Sequence, residues 1–171
     1  PISIGFKDIY FCSTDGVDES MHVFIKPNGI ENHHHTKQNL CIAETGFGTG
    51  LNFYLSAYYW QQLASKTSTL RYYSIEKHPI SPTDMATIIS KWSALSSITD
   101  PFWKRYNAHD FDSSIFILTI DNIILTVFFD DICSAIKRIP NEIDVWYLDG
   151  FNPKTNPAMW APEILCKVGE L

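Results

Sequence analysis

The stretch that decides the fold is Leu40-Cys41-Ile42-Ala43-Glu44-Thr45-Gly46-Phe47-Gly48-Thr49-Gly50-Leu51-Asn52. Its first part is a short apolar run that ends in an acid, which predicts a buried β-strand. Three glycines at alternate positions follow, and they allow the backbone to turn sharply and a ligand to approach it closely. The helix predicted after them begins with free backbone N–H groups. This order predicts a cradle for a nucleotide or a cofactor.

Strands and helices alternate along the rest of the chain. Apolar runs predict sheet strands at 40–44, 70–76, 115–120, 123–129 and 143–149. Helical patterns predict helices over 50–64, from Pro82 onwards, over 132–139 and from Asn156 onwards. Ser81 and Asp84 add a capping signature to the second helix, and residues 97–113 are predicted to be irregular. The alternation predicts an α/β protein with a mostly parallel, doubly wound sheet.

An N-terminal extension, 1–39, precedes the predicted core domain, 40–171. We expect a β-hairpin with strands 9–12 and 21–26, because Asp15-Gly16 between them is a strong turn signal. Both ends of the chain look cut, so we expect a fragment or one module of a longer protein.

Composition argues against several classes of function. The 13 basic and 19 acidic residues give a net charge of −6, which argues against broad non-specific binding to nucleic acids. Binding to RNA through a local basic patch, or through another domain, is still possible.

The four cysteines are scattered without a C-x-x-C pair, so the pattern favours a reducing cytoplasm and neither a zinc nor a redox site. Three adjacent histidines, 33–35, predict a solvated loop and no metal site. The longest apolar run, 123–129, is too short to span a membrane.

Acidic residues lie at or next to the carboxyl ends of four predicted strands. They are Glu44, Glu76, Asp131 and Asp149. In a doubly wound sheet the ligand lies beyond these strand ends. Several acids at one edge are costly unless they bind something cationic or rich in hydroxyl groups. The sequence therefore predicts a ligand of that kind.

The glycine-rich turn itself narrows the choice of cofactor. It lacks the lysine of a phosphate-binding loop, and Leu51 stands where a dinucleotide fingerprint needs its third glycine. An acid at Glu44 would also repel phosphate. S-adenosylmethionine has no phosphate, and its ammonium and sulfonium groups suit an acidic site. It also has a ribose diol, and the carboxylate of Glu76 can accept hydrogen bonds from both of its hydroxyl groups. Two alternatives stay open, an NAD-dependent oxidoreductase and a non-catalytic cofactor-binding module.

Four segments carry a resemblance to a known family. They are Ser13-Thr14-Asp15-Gly16 with Glu19-Ser20, the run 44–53, the run 74–79, and 148–154 with 156–160. Together they extend over nearly the whole chain, which resembles the methyltransferase half of bifunctional tRNA 5-methylaminomethyl-2-thiouridine biosynthesis proteins. The resemblance implies a Rossmann-like fold and S-adenosyl-L-methionine as cofactor. It also implies methyl transfer to the primary amine of 5-aminomethyl(-2-thio)uridine at the wobble position of tRNA.

The same resemblance implies roles for individual residues. Glu76 would hold the ribose with Lys77 beside it, and Asp131, with the backbone of Ile132, would read the adenine. The residues that would cradle the methionine part are Glu44, Thr45, Gly46, Gly48, Gly50 and Asn52. Asp130-Asp131 stands where the family has a Gly-Asp pair.

Residues 149–153 would form the floor where the methyl group and the amine meet. We expect Asp149 to orient the amine and to take its proton. Phe151 would shape the pocket, contact the base or pack in the core. The resemblance further implies a missing set of C-terminal strands and a flavin-dependent oxidoreductase as a fused or separate partner, with tRNA as the substrate and no metal.

Overall fold

The computed structural model describes residues 2–3, 8–9, 16–30, 39–150, 152–154 and 156–171. The predictions for Asp15, for the histidines at 33–35 and for Phe151 lie outside these residues. So does most of the predicted strand 9–12.

A five-stranded sheet forms the centre of the molecule. The strands of the described chain are β1 (Ile2–Ser3), β2 (Asp8–Ile9), β3 (Asn39–Glu44), β4 (Thr69–Ile75), β5 (Ile115–Ile120), β6 (Ile123–Phe128) and β7 (Val145–Tyr147). The central sheet has the order β5-β6-β4-β3-β7, and β1 pairs with β2 outside it. Strands β6, β4, β3 and β7 run parallel, and only β5, paired with β6, is antiparallel. The prediction of a mostly parallel α/β sheet is confirmed.

Helices cover both faces of this sheet. They are α1 (Gly16–Ser20), α2 (Leu51–Leu63), α3 (Pro82–Ile89), α4 (Ser96–Asn107), α5 (Ile132–Ala135) and α6 (Pro162–Glu170). A π-helical turn at Met21–Ile25 follows α1, and 3-10 turns occupy Ser93–Leu95, Ile136–Arg138 and Pro157–Trp160. Helices α2, α3 and α4 pack on one face, where Ile42 and Tyr72 point, and α5 and α6 pack on the other with Ala43. This is the doubly wound arrangement that the alternation predicted.

Several elements begin and end close to the predicted residues. Ser81 caps α3 as expected, because its hydroxyl oxygen accepts the N–H of Asp84 at 3.2 Å. The β5–β6 hairpin turns at Asp121, whose φ is 49°. The last sheet strand is shorter than the predicted 143–149, since the N–H of Ile143 donates to the carbonyl of Leu171 instead.

The N-terminal hairpin with a strand at 21–26 is wrong. Residues 21–25 are helical, and the residues that pack against the core are Met21, Phe24 and Ile25, while Val23 is 49 % exposed. This spacing is that of a helix face and not of a strand. Because Ile25 and Ile30 are buried in the main core, residues 16–30 pack as part of it. The division at residue 39 stays a prediction.

The irregular region predicted at 97–113 is also wrong. Helix α4 occupies most of it and buries Ile98, Phe102 and Tyr106 at helical spacing. Pro101 lies inside this helix, and it concealed the pattern because proline removes a helix hydrogen bond. Asn156 precedes a 3-10 turn without a side-chain capping bond, and α6 itself begins at Pro162.

Candidate functional site

The acids that follow the parallel strands gather around one cleft. Glu44 ends β3, and the cleft opens beyond it, where β4 and β7 flank β3 on opposite sides. Ligands of doubly wound sheets bind at such a point. The cleft has a volume of about 210 Å³. The expected site residues that line it are Thr45, Gly46, Gly48, Asn52, Glu76, Lys77, Asp131, Ile132 and Asp149.

Glycines shape the turn after β3. Gly48 and Gly50 have φ values of 51° and 80°, in the left-handed region where other residues are strained. A Cβ on Gly50 would come within 2.8 Å of the rings of Phe47 and Tyr54. A Cβ on Gly46 would lie 3.0 Å from the carbonyl oxygen of Asp149. The turn therefore fits closely against the end of β7, and Gly50, which does not line the described cleft, acts on it only through this geometry.

Asn52, in the first turn of α2, joins two of the acids. Its Nδ2 donates to Glu44 Oε1 at 2.9 Å and to Asp149 Oδ2 at 2.8 Å. Ser74 Oγ donates to the other oxygen of Glu44 at 2.8 Å. Two acceptors on one side of the amide fix its orientation, so Asn52 presents its Oδ1 elsewhere. That oxygen is buried and has no partner among the described residues.

Burial controls the protonation of these acids. Glu44 is 1 % exposed, and burial, together with the nearby charge of Asp149, raises the pKa of its carboxyl well above the ordinary value. Burial also raises the pKa of Asp149, although the hydrogen bonds from Asn52 and from the N–H of Gly150 oppose this. Glu44 lies behind Asn52 and does not line the described cleft. Among the described residues, Asn52 therefore lies between Glu44 and the cleft.

Glu76 closes the turn from the neighbouring strand. Its Oε2 accepts the N–H of Gly48 at 2.9 Å, and its Oε1 accepts the N–H of His78 at 2.7 Å. Burial raises the pKa of Glu76, and these backbone donors oppose the rise. Each carboxylate oxygen has a second lone pair, so Glu76 can still accept two hydroxyl groups from a ligand.

Lys77 and Asp131 form an ion pair across the cleft mouth. Lys77 Nζ lies 2.9 Å from Asp131 Oδ2, and the hydrogen bond lowers the pKa of Asp131. The other oxygen of Asp131 accepts the N–H of Cys133 at 3.0 Å and caps α5. Both carboxylate oxygens are thus already engaged, whereas the buried Ile132 offers an apolar wall beside them.

Comparison with known proteins identifies the family. A sequence model described as an S-adenosyl-L-methionine-dependent methyltransferase matches residues 93–171. Relatives that match all of this chain are the tRNA 5-methylaminomethyl-2-thiouridine biosynthesis bifunctional proteins MnmC of Pseudomonas putida, at 34 % identity, and of Pseudomonas fluorescens, at 35 %. Residues 93–171 belong to the S-adenosyl-L-methionine-dependent methyltransferase family that this model describes.

Two facts limit what the comparisons show about this chain. The chain spans about a quarter of their length, 27 % and 26 % respectively. The crystal structure of MNMC2 from Aquifex aeolicus has the same fold, with a TM-score of 0.73 over 99 % of this chain and 52 % of that one. At 18 % identity, this likeness concerns the fold alone.

The described residues fit the cofactor of this family. The unpartnered Oδ1 of Asn52 is an acceptor that suits an ammonium group, and the paired acids suit a molecule with two cationic centres and no phosphate. The expected cofactor, S-adenosyl-L-methionine, therefore agrees with both the family and the donor set.

The sequence analysis assigned no site role to several residues. Ser20, Met159 and Asn156 line the cleft, and Ser74 fixes Glu44 from β4. Each of them lies in one of the four segments that carry the family resemblance, so the resemblance could have indicated them.

No helix of the described chain is long and apolar enough to cross a membrane. The described residues also contain no group of three or more side chains able to hold a metal ion.

Proposed function

We propose that the chain transfers the methyl group of S-adenosyl-L-methionine to the primary amine of 5-aminomethyl(-2-thio)uridine at the wobble position of tRNA. The observation that carries the proposal is the match of the whole chain to proteins named for the biosynthesis of tRNA 5-methylaminomethyl-2-thiouridine. The nucleoside in that name carries one methyl group on its amine, so its biosynthesis requires a methyl transfer. The acidic cleft at the strand ends supports this reading.

In this proposal the cofactor lies along the turn after β3. Glu76, with its remaining lone pairs, holds the ribose, and Lys77 lies beside it. Ile132 packs against the adenine, and Asp131 accepts from it through a lone pair that its two present donors leave free. Asn52 Oδ1 accepts from the ammonium group. Thr45, Gly46 and Gly48 contribute the wall on the methionine side.

Asp149 is the residue we assign to the acceptor. Its backbone is held by Thr45, whose hydroxyl donates to the Asp149 carbonyl at 2.6 Å, and its carboxylate is held by Asn52. When bound, the cofactor would supply a methyl group on its sulfonium; the amine nitrogen would form the new C–N bond as the C–S bond breaks, with S-adenosylhomocysteine as the leaving group. Most of the catalysis is then alignment. An alkylamine has a pKa of about 10, and it must lose a proton before it can attack. Asp149 accepts that proton and orients the nitrogen; Phe151, outside the described residues, is proposed to contact the base.

The relatives are described as bifunctional, and this chain covers only part of them. We therefore include a flavin-dependent oxidoreductase, fused or separate, as a proposed partner. No described feature supplies a broad basic surface for tRNA, so the same partner or a local patch would provide the grip. A protein that modifies tRNA in this way would act in the cytoplasm.

Methyl incorporation tests the proposal directly. The chain is incubated with labelled S-adenosyl-L-methionine and tRNA from cells that lack the modification, and the digested tRNA is analysed for the 5-methylaminomethyl nucleoside. We expect label at that nucleoside and none in fully modified tRNA. Cofactor binding without any label would favour a non-catalytic module. Binding of NAD without binding of S-adenosyl-L-methionine would favour an oxidoreductase.

A further inference from the structure

The side chain of Met159 covers Gly150 at one end of the cleft. Met159 belongs to the 3-10 turn Pro157–Trp160 and lines the cleft together with Gly150. A Cβ on Gly150 would lie 2.5 Å from Met159 Cε and 3.0 Å from its Sδ, so the thioether occupies the space that a side chain at position 150 would fill. Met159 also packs against the apolar cluster that contains Ile132 and Ile164. The thioether is thus held between Gly150 and this cluster.

Gly150 connects this thioether to the residue that we assign to the acceptor. Its N–H donates to Asp149 Oδ1 at 2.8 Å, so the carboxylate of Asp149 lies directly beside Gly150. A Cβ on Gly46, in the turn that forms the methionine side of the proposed cofactor site, would lie 3.5 Å from Gly150 Cα. The methyl end of Met159 therefore lies where the cofactor wall and the Asp149 carboxylate approach each other.

Transfer of a single methyl group needs a physical reason in this site. After the first transfer the acceptor is a secondary amine, which is still a nucleophile. In a second transfer this amine would lose its proton, and its nitrogen would form a C–N bond as the C–S bond of another S-adenosyl-L-methionine molecule breaks and S-adenosylhomocysteine leaves. The nucleoside for which the relatives are named nevertheless carries one methyl group on its amine. Reactivity does not limit the product to one methyl group, whereas the space around the nitrogen can.

We propose that Met159 limits the reaction to one methyl group, because it fills the space beside Asp149 that the first methyl group would need during a second transfer. The inference rests on the proposed function and deepens it. A thioether has no hydrogen to donate, so Met159 acts through its volume. In-line displacement needs the nitrogen aligned with the methyl carbon at about 3–3.5 Å. A secondary amine whose methyl group meets Met159 Cε cannot reach this alignment while Asp149 holds it.

The ratio of two products tests this inference. The chain is incubated with an excess of S-adenosyl-L-methionine and with tRNA from cells that lack the modification, until the primary amine is used up. Mass spectrometry of the digested tRNA then gives the ratio of the dimethylaminomethyl nucleoside to the methylaminomethyl nucleoside. A smaller folded fraction slows both transfers alike, so it does not raise this ratio.

The wild-type chain should give almost only the nucleoside with one methyl group. Met159→Ala removes the thioether, and we expect the ratio to rise about tenfold or more, the discrimination that one methyl-sized group provides in an apolar pocket. Met159→Leu keeps the volume of the side chain and should keep the ratio low. Met21→Ala is the matched control, because Met21 packs against the main core and does not line the described cleft. It should keep the wild-type ratio.

A wild-type ratio in Met159→Ala, an equal rise in Met21→Ala, or abundant dimethylated product from the wild-type chain would overturn the inference. Met159→Val shortens the side chain less and replaces Met159→Ala in this comparison if the alanine variant transfers no methyl group. If neither variant transfers a first methyl group, Met159 does more than exclude the second one, and the inference is wrong. In each of these cases a wild-type chain that forms the monomethylated nucleoside supports the proposed function, whereas a wild-type chain that methylates no tRNA contradicts both.

Discussion

Asn52 fixes the positions of two acids at the cleft. Both hydrogens of its Nδ2 are used, one on Glu44 and one on Asp149, so the amide cannot rotate without losing two hydrogen bonds to carboxyl groups. Glu44 thus acts as an anchor behind Asn52, and Asp149 is the acid that reaches the cleft. Glu44 and Asp149 both follow a predicted strand in the sequence, but only Asp149 lines the cleft.

Asp149→Asn should separate chemistry from cofactor binding. The substitution keeps the shape of the side chain but removes the group that accepts a proton, so we expect methyl transfer to fall by about 100-fold or more. The dissociation constant of S-adenosyl-L-methionine, measured by calorimetry, should change only a few-fold. Asp112→Asn, which removes an exposed carboxylate from the loop before β5, is the control. Full turnover in Asp149→Asn would reject the role of this residue.

Glu44 should make the stability of the ligand-free chain depend on pH. Its pKa is higher in the folded chain than in the unfolded chain, because burial disfavours the charged form. The stabilising contribution is therefore complete below the ordinary pKa of glutamate and is lost as the pH rises through the folded value. Urea unfolding should give a higher free energy at pH 5 than at pH 8.

Glu44→Gln is the variant that tests this assignment. A glutamine can still accept from Asn52, and its Nε2 can donate to Ser74 Oγ, whose hydroxyl accepts as well as donates. The difference in unfolding free energy between pH 5 and pH 8 should shrink in this variant. An unchanged difference would mean that other groups titrate there.

Among the elements, the turn between β3 and α2 contains a position, Gly50, where a side chain would be strained. Gly50→Ala should destabilise the chain by about 2–3 kcal/mol, because it combines a left-handed φ of 80° with contacts of 2.8 Å to Phe47 and Tyr54. Gly29→Ala is a matched control, since its φ is 58° and no atom lies within 4 Å of the added Cβ. It should cost only about 1 kcal/mol, the strain of the backbone alone. Equal losses in urea unfolding would show that the contacts at Gly50 have no effect.

The elements also show where sequence reasoning works and where it fails. Strand β3 and the turn after it were predictable, because an apolar run, an acid and spaced glycines have few alternative structures. The segment 21–25 was not, since its apolar residues fit either a strand or a helix, and only packing against α2 decides between them. Helix α4 was hidden by Pro101, whose unfavourable effect is outweighed by the burial of Phe102 and Tyr106.

The site could be predicted in position but not in detail. Parallel strands bring their carboxyl ends to one edge, so the gathering of Glu44, Glu76, Asp131 and Asp149 followed from the strand order. Which of these acids reaches the cleft depends on side-chain burial over long sequence separations. The bond between Asn52 and Asp149 spans 97 residues, and no local pattern encodes it.

For the molecule as a whole, cofactor binding should stabilise the fold selectively. At a concentration 100 times the dissociation constant, a ligand that binds only the folded state adds about 2.7 kcal/mol to the free energy of unfolding. We expect S-adenosyl-L-methionine to do this in urea unfolding and NAD, at the same concentration, to have no effect. Stabilisation by NAD alone would contradict the assignment of the cleft to a phosphate-free cofactor.

Binding of S-adenosyl-L-methionine should also release protons. A cation close to Glu44 and Asp149 lowers pKa values that burial raises in the free chain, so part of the bound protons is lost at neutral pH. The binding enthalpy should therefore differ between phosphate and Tris at one pH, because the buffer takes up the protons. S-adenosylhomocysteine lacks the sulfonium charge and should release fewer, and Glu44→Gln should show a smaller buffer dependence with either ligand. An enthalpy that is the same in both buffers would mean that no protons are released. Glu44 and Asp149 would then already be ionised in the free chain, and the prediction would be wrong.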